Sequence, residues 1–87
     1  MTVYMVEREL KGIAMGDLAG AQKLAIATAR DMSTKGTPIR YIRSTFTPDD
    51  GRCMCLFEAA NAGDVQLLND TAKLPYSRVV EALDLTP

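Results

Sequence analysis

The stretch 52–58 constrains the fold of this 87-residue chain most strongly, because it reads RCMCLFE and has no strongly polar residue between its charged ends. A β-strand without polar alternation needs apolar cover on both faces. The turn sequence Pro48-Asp49-Asp50-Gly51 precedes it directly and favours a hairpin. A chain this short has few other elements with which to cover both faces. The sequence therefore predicts that a second copy supplies part of the cover.

Residue patterns predict four strands and two helices in the order β-α-β-β-α-β. The predicted strands are residues 2–9, 38–47, 52–58 and 78–85. The predicted helices follow Asp17 and Asn61, each expected to be an N-cap, and stop before Pro38 and Pro75. This order predicts a ferredoxin-like α+β fold, in which a four-stranded antiparallel sheet has its first and third strands central and both helices on one face. We expect one domain over residues 1–87.

The predicted helices leave one face of the sheet without cover from the same chain. Alternation places Met54 and Leu56 on one face of the third strand, and Cys53, Cys55 and Phe57 on the other. Leaving either set in water would expose an apolar patch of roughly several hundred Å², which is rare on soluble monomers. Packing two sheets face to face buries both sets. We therefore expect a homodimer, a dimeric α+β barrel with a space between its sheets.

Five polar side chains are predicted to line that space and are candidate ligand-binding residues. If Cys53, Cys55 and Phe57 face the helices, alternation assigns the opposite face to Glu7, Tyr41, Arg43, Glu58 and Glu81. In this interpretation they orient a small ligand, anionic where it meets the guanidinium, or the acids hold a cation. The alternative is that they lie at strand ends on the rim and form solvated ion pairs.

Composition argues against several classes of function. The net charge is −1 and no basic run exists, so we expect no nucleic-acid partner. No apolar stretch is long enough to span a membrane, and no signal peptide is evident, so we expect a cytoplasmic protein with reduced thiols. The chain has no histidine, which removes serine–histidine and cysteine–histidine catalysis and the usual histidine metal sites.

Cys53 and Cys55 are predicted to be small buried core residues. Two thiols without a second pair or a histidine make a poor metal site. No glycine-rich phosphate loop is present either. The sequence therefore predicts no metal-ligating residue and no cofactor.

Three segments resemble a small bacterial family of unknown function, some members of which are described as nickel-binding proteins. They are residues 4–9 (YMVERE), 43–59 (RSTFTPDDGRCMCLFEA) and 74–81 (LPYSRVVE). The resemblance implies a ferredoxin-like protomer and a dimer related to the dimeric α+β barrel proteins. Nickel binders of this kind rely on histidine, and some relatives carry one where Arg43 stands here. A guanidinium cannot ligate a metal.

Three functions stay open at this point. The first is a small-ligand-binding homodimer of uncharacterised role. The second is a cofactor-independent oxygenase or isomerase of the dimeric α+β barrel type, by analogy of fold. The third is a metal-binding protein, of nickel by resemblance, using the carboxylates of Glu7, Glu58 and Glu81.

Overall fold

The four strands form one antiparallel sheet in the order β2-β3-β1-β4. The computed structural model describes residues 1–87 and contains β1 (Thr2–Glu9), α1 (Met15–Thr34), β2 (Ile39–Thr47), β3 (Arg52–Ala59), α2 (Ala62–Ala72) and β4 (Arg78–Glu81). The predicted ferredoxin-like α+β fold is confirmed, with the first and third strands central.

The two helices begin in different ways. Asn61 is the N-cap of α2, as predicted, and its side chain accepts a hydrogen bond from the Asp64 backbone N–H at 2.9 Å. The prediction for α1 was wrong, because the helix begins at Met15 with Ala14 at the N-cap and no capping side chain. Asp17 lies in the first turn, where its charge complements the helix dipole. Neither helix has the combination of length and apolarity needed to cross a membrane.

β4 is shorter than predicted and ends at Glu81 rather than at residue 85. Glu81 pairs with Tyr4, and the next residue, Ala82, donates its backbone N–H to the Val3 carbonyl at 2.9 Å. β1 begins at Thr2, so residues beyond this point have almost no partner strand left. Leu85 is accordingly 83% exposed.

The core lies between the sheet and the two helices. Val6 and Phe57 of the central strands and Val65 and Leu68 of α2 are completely buried. The side of α1 that faces the sheet presents alanines, and Ala25 and Ala29 are buried there. Small side chains at these positions let the helix approach the sheet closely.

We call the helix-covered side of the sheet the inner face and the opposite side the outer face. Cys53, Cys55 and Phe57 are buried on the inner face, as predicted. Directly paired residues of antiparallel strands share a face. Arg43 pairs with Leu56 and is therefore on the outer face, whereas Tyr41 pairs with Phe57 and is on the inner face.

The outer-face placement of Tyr41 was wrong because β2 contains a bulge. One extra residue, Ile42, interrupts the register between Tyr41 and Arg43. The bulge reverses the alternation, so residues before and after it follow opposite parities. Ile39, which pairs with Ala59, is on the inner face for the same reason.

Glu81 was also assigned to the wrong face. It pairs with Tyr4, and Val79 pairs with Val6 of the core, so both follow the parity of the inner face. The run Val79-Val80 is apolar at consecutive positions, so its pattern allows either orientation of β4.

Candidate functional site

A cavity of about 160 Å³ lies between α1 and the inner face of the sheet. Ala21 and Ala25 of the helix are too small to fill the space above the strands. Nine of the twelve lining residues are hydrophobic. The lining consists of Arg8, Leu10, Leu18, Ala21, Gln22, Ala25, Tyr41, Ser44, Phe46, Cys53, Cys55 and Leu74.

Arg8 places a buried positive charge in the wall of this cavity. Its position on β1 follows the inner-face parity of Val6, and the residue is only 5% exposed. Its Nη1 donates to the Pro75 carbonyl at 3.1 Å, but its Nη2 is buried and has no hydrogen-bond partner. None of the five ion pairs of the protein includes it. A buried charge without a counterion is strongly unfavourable, so a compensating group is expected nearby.

A chain of hydrogen bonds beside Arg8 ends on a thiol sulfur. Gln22 Nε2 donates to the Tyr41 hydroxyl at 3.0 Å, and the Tyr41 and Ser44 hydroxyls are hydrogen-bonded. Ser44 Oγ donates to Cys55 Sγ at 3.0 Å, and the Cys53 and Cys55 sulfurs lie 3.8 Å apart. Because an amide N–H₂ only donates, Tyr41 is free to donate to Ser44 and Ser44 to the sulfur. The whole chain therefore favours a negative charge on Cys55.

These contacts lower the pKa of the Cys55 thiol from 9.0 to about 5. The hydrogen bond from Cys53 has the largest effect; burial, the next largest, acts in the opposite direction, and the hydrogen bond from Ser44 and the charge and hydrogen bonding of Arg8 lower the pKa further. The same contact raises the pKa of Cys53. Ser44 donates to Cys55 rather than to Cys53, so its hydrogen bond favours ionisation of Cys55 within the pair. The cavity wall therefore combines a thiol of lowered pKa with a guanidinium.

The structure does not bring the five predicted site residues together. Tyr41 alone lines the cavity. Arg43 forms an ion pair with Asp84 at 3.0 Å on the outer face. Glu81 is exposed at the end of β4. The ligand-binding role of all five stays a prediction.

The two other carboxylates of the predicted set are also engaged in ion pairs on the outer face. Glu7 lies between Arg78 and Arg52, the latter at 3.4 Å, and the hydrogen bond from Arg78 lowers the pKa of its carboxyl. Glu58 pairs with Arg40 at 3.5 Å. Both carboxylates are therefore paired with arginines of the same chain, and the Glu7 side chain is only 16% exposed.

Sequence reasoning missed Arg8, Ser44 and the lowered pKa of Cys55. A signal for Arg8 was present, because it continues the alternation of Tyr4 and Val6 and so places a charge on the core-facing side of a central strand. Ser44 gave no such signal, because its face depends on the bulge at Ile42.

The family model "Nickel responsive protein SCO4226-like" matches residues 4–82. This chain belongs to that family. The match confirms the resemblance seen in the three sequence segments. The crystal structure of SCO4226 from Streptomyces coelicolor A3(2) is similar, with a TM-score of 0.80 and 20% sequence identity over 97% of this chain and 99% of that one. At this identity the similarity supports the fold. No curated protein matches the chain.

The side chains of this family member do not fit a nickel ion held by one chain. It has no histidine, and no three Cys, Asp or Glu side chains are grouped so that they could hold a metal. The two thiols of the cavity have no third donor beside them, and two thiols alone make a poor metal site.

Proposed function

We propose that this protein binds a small, mainly apolar ligand in the cavity under α1, with an acceptor oxygen of the ligand on Arg8 Nη2. The observation that carries this proposal is the Arg8 side chain, which lines the cavity and whose buried Nη2 lacks a hydrogen-bond partner. Leaving such a donor unsatisfied is unfavourable by about 1–3 kcal/mol, more for a charged group. Apolar walls with a few converging polar groups are typical of small-molecule sites.

The ionised state of Cys55 narrows the ligand class. A thiolate close to Arg8 already balances its charge, so a second anion in the cavity would be repelled. An uncharged ligand with one carbonyl or hydroxyl oxygen avoids this repulsion and still satisfies Nη2. The sequence predicted instead an anionic ligand bound by Arg43. The Arg43 guanidinium, however, forms an ion pair with Asp84.

Cyclohexanone and cyclohexane make a matched pair of probes, since they differ by one acceptor oxygen. We expect NMR titration to shift resonances of the cavity residues and cyclohexanone to bind about tenfold more tightly, as one hydrogen bond to a charged donor implies. Arg8→Met should abolish this preference, and Arg43→Met is the matched control on the outer face. Ala21→Leu, which fills the cavity, should block both probes. Equal affinity of the two probes for the parent protein, or shifts confined to the outer face, would overturn the proposal.

We also propose that the protein is a homodimer formed by the outer faces of two copies. Five apolar side chains on this face are only half-buried within one chain: Val3, Met5, Met54, Leu56 and Val80. Charges of both signs surround them, so the face is complementary to itself across a two-fold axis. These features support a second copy as its occupant.

Sedimentation velocity at micromolar concentration tests the dimer. We expect Leu56→Arg to convert a dimer into a folded monomer, because it places a charge in the centre of the apolar set. Leu67→Arg is the matched control, since Leu67 lies on α2 and is 52% exposed. A parent protein that sediments as a monomer would contradict this part of the proposal.

Family membership favours nickel binding as the second candidate function, because the matching family is described as nickel-responsive. The carboxylates of Glu7 and Glu58 would have to leave their arginine partners to bind a cation. Equilibrium dialysis against Ni²⁺ tests this function. Binding at micromolar concentration that Glu7→Gln removes would support it, and the absence of binding would exclude it. The oxygenase or isomerase alternative stays a prediction from the fold alone.

The cytoplasm is the proposed location, because both cysteines are free thiols. A reducing compartment keeps such thiols from oxidation and mispairing. Detection of the protein in a periplasmic or secreted fraction would contradict this location.

A further inference from the structure

We propose that Cys55 is an oxidation site that reacts with a small hydroperoxide in the cavity, with Arg8 Nη2 hydrogen-bonded to the departing oxygen. The inference rests on the same cavity as the proposed function and adds a reaction to it. Two independent observations support it: the hydrogen bond that Ser44 donates to Cys55 Sγ, and the buried, unpartnered Nη2 of Arg8, a residue that is only 5% exposed.

Cys55 has the surroundings of a reactive thiol, and Cys53 does not. Ser44 Oγ donates to Cys55 Sγ at 3.0 Å, and Tyr41 in turn is hydrogen-bonded to Ser44. The thiolate is the nucleophilic form of cysteine, and donors together with a nearby arginine favour that form. Cys53 lies within 3.8 Å of the Cys55 sulfur, and this contact raises the pKa of Cys53, which disfavours its thiolate. The reaction is therefore assigned to Cys55.

The reaction is a two-electron transfer from sulfur to the peroxide. The Cys55 thiolate attacks the terminal oxygen of the hydroperoxide, so an S–O bond forms while the O–O bond breaks. The thiolate becomes a sulfenic acid and the hydroperoxide leaves as an alkoxide, which takes a proton from water to become the alcohol. Negative charge develops on the leaving oxygen, and a preorganised cationic donor stabilises it in an apolar site. Nη2 of Arg8 is such a donor, and no group of the protein occupies it.

The Cys53 thiol can take part in a second reaction that follows oxidation of Cys55. The sulfenic acid of Cys55 can condense with the Cys53 thiol, forming an S–S bond and releasing water. The sulfurs would have to approach from 3.8 Å to about 2.05 Å. Because the two residues lie on one strand with one residue between them, this approach distorts β3, and we expect it to be slower than the first step.

The test follows oxidation of the full-length protein by tert-butyl hydroperoxide, with timed alkylation and peptide mass spectrometry. Iodoacetamide alkylation of Cys55 is the internal reference, because it also requires the thiolate but releases no alkoxide. The informative quantity is the peroxide rate divided by the alkylation rate. We expect this ratio to exceed that of glutathione by at least about tenfold and to fall about tenfold in Arg8→Met, as loss of one charge-assisted hydrogen bond implies. Arg30→Met, which removes an exposed charge of α1 outside the cavity lining, should leave it unchanged.

Arg8→Lys provides a second variant if Arg8→Met does not fold, since it keeps the charge and removes the forked donor. The adduct expected at Cys55 is a dimedone-trapped sulfenic acid or the disulfide derived from it. A ratio equal to that of glutathione, or one that neither Arg8 variant changes, would overturn the inference. Cyclohexanone binding without this reactivity would remove the inference and leave the proposed function. Arg8-dependent oxidation without cyclohexanone binding would remove the proposed function and leave the inference.

Discussion

The Ser44 hydroxyl donates to Cys55 Sγ at 3.0 Å from the directly opposite position of the neighbouring strand. This relationship depends on the extra residue Ile42, which brings both Tyr41 and Ser44 onto the inner face although they are three residues apart. Without the bulge, alternation would place Tyr41 and Ser44 on opposite faces. Bulges often redirect a side chain in this way near functional sites. The irregularity of β2 thus creates the polar part of an otherwise apolar cavity.

Ser44→Ala is expected to raise the pKa of the Cys55 thiol. The lost hydrogen bond stabilises the thiolate by about 1.5–3 kcal/mol, which corresponds to about one to two pKa units. Ultraviolet absorbance of the thiolate as a function of pH measures the change. Thr45→Ala is the matched control, because Thr45 pairs with Met54 on the outer face. An unchanged pKa of Cys55 in Ser44→Ala would mean that the Ser44 hydroxyl does not stabilise the thiolate.

The free energy of unfolding is expected to rise with pH between about 5 and about 9. The Cys55 pKa is about 5 in the folded protein and 9.0 ordinarily, so the unfolded chain binds one more proton over this range. A lowered pKa gives a stabilisation that is complete above the unfolded value and is lost as the pH falls through the folded value. The raised pKa of Cys53 has the opposite effect, and stability should decline again at higher pH.

Urea unfolding of the parent protein and of Cys55→Ser measures this dependence. The difference between the two free energies of unfolding should change by at most about 1.4 kcal/mol per pH unit and should become independent of pH below about 5. Carboxylates such as Glu7, whose pKa is lowered by Arg78, also make the free energy of unfolding depend on pH, but at lower pH. Both proteins contain them, so their effect cancels in the comparison. Parallel pH profiles for the two proteins would show that Cys55 is not ionised.

Local sequence signals identified most of the fold. The predicted first strand, residues 2–9, coincides with β1, and Asn61 caps α2 as its side-chain chemistry indicated. These features depend on neighbouring residues alone. The C-terminal end of β4 depends on another element, since β4 stops where β1 runs out of pairing partners. The start of α1 was misplaced because Asp17 lies inside its first turn rather than at the N-cap.

The candidate site was less accessible to sequence reasoning. Arg8 interrupts an apolar inner-face pattern and was detectable in principle, but nothing in the sequence shows that its Nη2 lacks a partner. Tyr41 was selected for its phenol and was assigned to the wrong face, because a one-residue bulge leaves no local signature here. Pairing between strands, rather than alternation within one, determined the site.

Asn61→Ala is expected to destabilise the protein by about 1 kcal/mol, because it leaves the Asp64 backbone N–H without its acceptor. Asp17→Ala is the informative comparison, since Asp17 was expected to be a cap and has no capping hydrogen bond. Its loss removes only the interaction with the helix dipole, about 0.3–1 kcal/mol. Urea unfolding at neutral pH measures both. A larger loss in Asp17→Ala would contradict the helix boundaries described above.

Gly51→Ala is expected to destabilise the protein more than Gly12→Ala does, although both glycines have positive φ angles, of 70° and 82°. The left-handed conformation costs any other residue about 1–2 kcal/mol, so this contribution is common to both variants. At Gly51 an added Cβ would overlap the backbone of Lys11 and Leu10, whereas at Gly12 it would meet open space. The Leu10 N–H also donates to the Gly51 carbonyl at 2.7 Å, so the two segments cannot separate without losing this bond.

Leu10 lines the cavity, and we therefore expect Gly51→Ala alone to weaken cyclohexanone binding as well as to lower the urea midpoint. Equal losses of stability in the two variants would show that the close approach at Gly51 relaxes freely.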